Sequence, residues 1–154
     1  MKGFSMDISL IKKFEGFRSN AYLCPAGKWT IGYGTTYLSS KSRPVESGDT
    51  ITERDAEEEL KNFLNKQVMP KINSLVEEFG PIPQKIIDSL CSLAYNVGPG
   101  CLSSLKLRIA LNNKSISGLY TWLMSFNLVN GHVNQGLVNR RTAESNNFKD
   151  VVWK

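Results

Sequence analysis

The sequence predicts a mainly helical α+β fold: a small N-terminal lobe with a β-hairpin or small sheet, joined by a long helix to a helical C-terminal lobe. Three observations lead there. Two short strand-like runs punctuated by glycines flank a turn within residues 20–34. An apolar stripe at helical spacing then runs from Leu60 to Val76, behind a capped start at Thr52. Beyond Gly80 each apolar run again has helical character, with Gly and Pro between runs. The expected parts are 1–51 for the first lobe, 52–79 for the linking helix and 80–154 for the second lobe. A length of 154 residues fits one such domain.

The elements follow in order. Ile8, Ile11 and Phe14 repeat at helical spacing, with Asp7 or Ser9 to cap the first turn, so Asp7–Phe14 is expected to be a short helix ended by Gly16. Glu15 then lies at its end. Asn20–Leu23 and Trp29–Gly34 flank a turn at Pro25-Ala-Gly27 and form a hairpin. In the second run Trp29, Ile31 and Tyr33 alternate with Thr30, Gly32 and Gly34, so each set shares one side of the pleat. Tyr37–Asp49 is polar and serine-rich, an exposed loop or a third irregular strand. Thr52 with Asp55 three residues on resembles a capping box, and the acids that follow suit the positive end of a helix. Pro70 is expected to kink or split this helix.

In the second lobe, Pro83 can start a helix over Gln84–Asn96 that is apolar around most of its girth and therefore central. Val97-Gly-Pro-Gly100 stops it. Leu102–Leu111 and Ser115–Phe126 are further helices, with Trp122 and Phe126 as core aromatics. Asn127–Gln135 is read as a polar turn region, and Leu137–Asn147 as the last helix. Phe148, Val151, Val152 and Trp153 are expected to pack back.

Composition narrows the function classes. Net charge is +5, but no tract gathers the Lys and Arg residues, which disfavours nucleic acid as a partner. With three cysteines in no zinc-like spacing and one histidine, His132, neither a metal site nor a cofactor is expected. No apolar run is long enough to span a membrane, and the N-terminus has no signal-peptide core.

The densest stretch of the chain is Phe14–Thr36, FEGFRSNAYLCPAGKWTIGYGTT. Within it, E-G-x-R-x-x-A-Y is followed by a nine-residue step from Glu15 to Cys24 and six more to Thr30 inside W-T-I-G-Y-G. This pattern resembles the phage-type lysozymes, the endolysins of glycoside hydrolase family 24. Ile51-Thr-Glu, Ala94-Tyr-Asn-Val-Gly98 and Gly136-Leu-Val-Asn-Arg-Arg-Thr-Ala-Glu144 extend the resemblance over almost the whole chain. It implies the lysozyme-like fold and hydrolysis of the β-1,4 bond between N-acetylmuramic acid and N-acetylglucosamine in peptidoglycan. Host lysis, monomeric action, synthesis in the host cytoplasm and action on peptidoglycan in the periplasm after release follow from the same resemblance.

Glycoside hydrolysis asks for an acid on one side of the sugar and a base or nucleophile on the other. The acid must stay protonated near neutral pH, which apolar walls achieve by penalising the carboxylate; Phe14 and Phe17 flank Glu15. The resemblance gives Glu15 the role of general acid and Thr30 that of positioning the attacking water. Cys24 departs from the common pattern, since most relatives carry Asp there and a subset carries Cys. A thiol must ionise to act, with Lys28 or Arg18 as candidate sources of positive field, and its role as base or as nucleophile stays open. Tyr33, Thr36, Tyr95, Asn96 and Ser104 align with the family's saccharide groove. Thr35 replaces a frequent His. Arg140 and Arg141 are expected either at a cleft or stem-peptide contact or on a plain helix surface. Cys91 and Cys101 are read as small core residues, with a disulfide between them as the alternative. The rival functions are a non-catalytic peptidoglycan-binding protein and a lytic transglycosylase.

Overall fold

A computed structural model describes residues 6–154. The expectation of no signal-peptide core falls partly on residues 1–5, outside the described residues. The described residues separate into two compact units, one of Ile11–Lys66 and one of 6–10 with Gln67–Lys154. The architecture is α+β and mainly helical, as expected.

Helix α1 spans Ser9–Glu15. Asp7 Oδ1 accepts the Ser9 amide at 2.9 Å, and Gly16 donates back to the Lys12 carbonyl at 3.0 Å to end the helix. Strands β1 (Arg18–Leu23) and β2 (Trp29–Gly32) pair antiparallel, Tyr22 opposite Thr30 and Leu23 opposite Trp29, with an irregularity between Arg18 and Tyr22. The expected strand over Trp29–Gly34 ends early at Gly32. Gly32 has φ 63°, which turns the chain, and an added Cβ would lie 3.0 Å from the Ala56 Cβ. The polar segment expected as loop or third strand contains a small pair, β3 (Tyr37–Leu38) and β4 (Arg43–Pro44). Arg43 grips Asp49 through both terminal nitrogens at 2.9 and 3.0 Å. Under these strands Ile31, Leu38 and Val45 are buried, with Ala21, Trp29 and Ile51 against them.

Helix α2 spans Glu53–Phe63, and the Thr52 hydroxyl caps it by accepting the Asp55 amide at 3.2 Å. A π-helical segment, Leu64–Val68, follows and runs into α3, Met69–Phe79. Pro70 therefore neither splits the helix nor sits in its regular interior. Lacking an N–H, it leaves the Lys66 carbonyl without its i→i−4 donor, and the wider turn takes up the mismatch.

In the other unit, α4 (Gln84–Val97) is buried continuously from Ile86 to Ala94. Pro83 is its N-cap, one position earlier than a first helical residue, and its carbonyl accepts from Ile86 and Ile87. A short 3₁₀ turn, Pro99–Ser103, separates α4 from α5 (Leu105–Asn113), so the expected helix over Leu102–Leu111 begins later. Ser104, extended at φ −63° and ψ 135°, forms that boundary. Helix α6 spans Ile116–Met124. Trp122 is buried, and Phe126, half-buried, meets its ring edge-on at 5.2 Å between centroids.

The expected polar turn over Asn127–Gln135 is instead a β-hairpin, β5 (Leu128–Val129) and β6 (His132–Val133). Its two loop residues are Asn130 and Gly131, at φ 52° and 79°, the signs that a tight two-residue turn requires. Helix α7 (Gln135–Asn146) follows, capped by Asn134, which accepts the Leu137 amide at 2.9 Å. Phe148 packs into the core, whereas Val152 is 77% exposed and does not.

Candidate active site

The turn between β1 and β2 is built by its backbone. Gly27 donates to the Cys24 carbonyl at 2.8 Å, and Cys24 donates its own amide to the Lys28 carbonyl at 2.9 Å. Pro25 pre-sets the second position of that turn. Thr30 is 4% exposed, and its hydroxyl donates to the same Lys28 carbonyl at 3.0 Å. Cys24 and Thr30 are thereby brought together at one end of the hairpin.

The Cys24 thiol is half-buried, and its pKa is held below its ordinary value of 9.0. The leading cause is the Lys28 backbone amide, with the Ala26 amide and the Thr30 hydroxyl adding to it and desolvation opposing. The positive field expected from the Lys28 or Arg18 side chain is thus replaced by backbone N–H groups. Arg18 is otherwise engaged, its guanidinium lying 4.1 Å from the centre of the Tyr22 ring.

Glu15 ends α1 and is half-buried. One turn earlier on the helix, Lys12 donates to Glu57 at 2.8 Å and lies 3.9 Å from Glu53, tying α1 to α2. Tyr33, expected in the saccharide groove, is only 2% exposed, and its hydroxyl donates to Glu53 at 2.5 Å. Burial, then the Glu53 carboxylate, pushes the Tyr33 phenol up to about 12. Its ring packs on Phe17, centroids 5.6 Å apart. Thr36 is exposed at the rim of a depression of about 360 Å³ that Trp29, Tyr37 and Pro44 also line.

The remaining expected site residues belong to the helical unit. Tyr95 and Asn96 lie half-buried at the C-terminal end of α4. Ser104 accepts the Trp122 indole N–H at 3.0 Å, which holds the hydroxyl toward a buried ring.

Arg140 and Arg141 do not lie on a plain helix surface. They are 4% and 0% exposed, and Glu144, also at 0%, is their shared counter-ion. Arg141 Nε lies 2.6 Å from Glu144 Oε1 and Arg140 Nε 3.5 Å from Oε2. The Ser92 hydroxyl donates to Glu144 Oε2 at 2.5 Å, and Arg141 Nη2 donates to Asn96 Oδ1 at 2.8 Å. Buried charges persist only when paired and hydrogen-bonded, and removing one partner of such a pair costs about 3–5 kcal/mol. The sequence reading has Glu144 only as the end of a motif and gives it no role, although its spacing of three and four residues from the two arginines puts all three on one helix face.

The three cysteines are free thiols, so the Cys91–Cys101 disulfide does not form. Cys91 is buried with its sulfur 3.9 Å from that of Met69, and desolvation pushes it up to about 12. Among the described residues no His, Cys, Asp and Glu group could hold a metal ion, and no helix is long and apolar enough to cross a membrane.

The chain is similar to known proteins in sequence and fold. The phage lysozyme family profile matches residues 12–144. The endolysin of Acyrthosiphon pisum secondary endosymbiont phage 1 is 35% identical over 146 residues, covering 92% of this chain and 94% of the relative. The endolysin of Bacillus phage B103 is also 35% identical, covering 92% of this chain, which spans 51% of that longer relative. Among solved structures, the muramidase domain of SpmX from Asticaccaulis excentricus superposes with a TM-score of 0.76 at 31% identity, covering 92% of each chain. A family match over most of the sequence, a relative of nearly equal length and the same fold in a solved structure agree: this chain belongs to the phage lysozyme family of glycoside hydrolases.

Proposed function

We propose that the chain is a muramidase of the Cys-bearing kind, cleaving the β-1,4 bond between N-acetylmuramic acid and N-acetylglucosamine by direct hydrolysis. Glu15 gives its proton to the leaving glycosidic oxygen. The Cys24 thiolate takes a proton from a water, and the hydroxide equivalent bonds to the anomeric carbon as the C–O bond breaks. Thr30 holds that water. Thr36, Tyr95, Asn96 and Ser104 contact the glycan, while Tyr33 braces the hairpin from behind. The observation that carries the reading is the lowered thiol of Cys24, held beside the Thr30 hydroxyl by one short turn. A base toward water must give up its own proton readily and lie next to a group that can orient the water; a lowered thiol pKa beside a hydroxyl supports that reading. The name of the similar SpmX domain, a muramidase, points the same way.

Digestion of purified peptidoglycan in heavy-oxygen water tests it. The expected products are muropeptides with reducing-end N-acetylmuramic acid carrying one heavy oxygen, and Glu15→Gln releases none. Products with 1,6-anhydro ends would reject hydrolysis in favour of transglycosylation. Binding to cell walls without release of reducing ends would leave a non-catalytic wall-binding protein.

A further inference from the structure

We infer that Arg141 is a positioning residue, which fixes the side-chain amide of Asn96 so that its N–H₂ branch is offered to an oxygen of the glycan. The proposal rests on the reading of Asn96 as a glycan contact. Arg141 does not itself touch substrate in this account; it acts through the amide.

The geometry forces one orientation. An arginine has only donors, so the Asn96 atom 2.8 Å from Arg141 Nη2 must be the carbonyl oxygen. The amide nitrogen then occupies the other branch, as a donor directed away from Arg141. An unrestrained asparagine could present either group, and a pocket that reads sugar oxygens would lose binding whenever the carbonyl faced them. Arg141 is itself immobilised. Its Nη1 donates to the Phe126 carbonyl at 3.3 Å, and its Nε faces Glu144 at 2.6 Å. Glu144 is held in turn by the Ser92 hydroxyl, and the Ser89 hydroxyl donates to the Glu144 backbone carbonyl at 2.8 Å. The chain of contacts thus runs from the interior of α7 and α4 to the last turn of α4, where Asn96 is half-buried. A buried guanidinium–carboxylate pair adds little net stability over an apolar replacement of the same shape, so a role in orientation accounts for it better than stability does. The preferred acceptor on the substrate is a carbonyl or hydroxyl oxygen, such as the amide oxygen of an N-acetyl group.

The test uses the full chain on solubilised peptidoglycan. Asn96→Asp keeps an oxygen for Arg141 and replaces only the outward donor by an acceptor. It is expected to fold with an unchanged or higher Tm and to raise KM about tenfold, the effect of one lost hydrogen bond, with kcat nearly unchanged. Arg141→Lys keeps the charge opposite Glu144 but removes the fork that also reaches Asn96. In the Asn96→Ala background it is expected to cost no further kcat/KM, because its effect passes through the missing amide. Losses from Arg141→Lys and Asn96→Ala that simply multiply would overturn the positioning role and leave Asn96 as a contact. An unchanged KM in Asn96→Asp would instead remove Asn96 from the glycan site, and the proposal with it, whatever Glu15→Gln shows.

Discussion

Cys24 and Thr30 hang from the same carbonyl: Lys28 accepts the Cys24 amide at 2.9 Å and the Thr30 hydroxyl at 3.0 Å. Two side chains six positions apart are thereby fixed to a single peptide unit, and any change in that unit is felt by both.

The lowered Cys24 pKa sets a pH dependence. Its ionised fraction rises with pH through a midpoint below 9.0, so activity is expected to fall as the medium is acidified through that midpoint. Cys24→Asp moves this limb into the carboxylate range, near about 4, and extends activity toward acid. Initial rates over a pH series on both proteins check it. A limb that stays where it was in the aspartate variant would remove residue 24 from the base role.

Thr30→Val keeps the shape and deletes the hydroxyl. The Lys28 carbonyl loses a donor at a position only 4% exposed, a loss of about 1 kcal/mol in urea unfolding. The thiolate loses one of its stabilising contacts, so the Cys24 midpoint is expected to rise. Titration of the thiolate by ultraviolet absorbance reads that shift separately from the loss of rate.

Gly32→Ala places a methyl 3.0 Å from the Ala56 Cβ at φ 63°. Both the clash and the backbone conformation oppose it, and about 1–3 kcal/mol of destabilisation is expected in chemical denaturation. A neutral result would mean that the hairpin and α2 yield to each other easily.

Asp49 is held far below the ordinary carboxylate range, chiefly by Arg43, with the Glu46 amide adding to it. Its folded-state value lies below its unfolded value near 3.8, so the stability it contributes is complete above that pH and drains away as pH falls toward the folded value. Asp49→Asn is therefore expected to be less stable than the wild type at neutral pH, with the gap narrowing below 3.8. Denaturation midpoints at neutral and acid pH test the sign.

Much of this was legible in the residues, and the exceptions share a cause. The Thr52 cap, the hairpin over the Pro25 turn and the central α4 each follow from local chemistry that tertiary packing did not overrule. Asn130-Gly131 carried its signal too, but the short polar run around it hid two strands of two residues. Arg140, Arg141 and Glu144 could not be placed, because a charged residue defaults to the surface until three helix-face charges are seen to neutralise one another inside. Tyr33 is expected from the sequence to contact the saccharide, yet it is buried and its hydroxyl donates to Glu53. Lys28 matters through its peptide unit, which no side-chain identity reveals.

The hairpin tip at Asn130-Gly131 also gives the molecule a finite shelf life. Asparagine followed by glycine cyclises and deamidates more readily than other asparagine pairs, because glycine leaves the attacking nitrogen unhindered. The isoaspartyl product adds one atom to the main chain. A connection of two residues has no slack to absorb it, so the pairing of Val129 with His132 would be lost as stored protein grows more acidic.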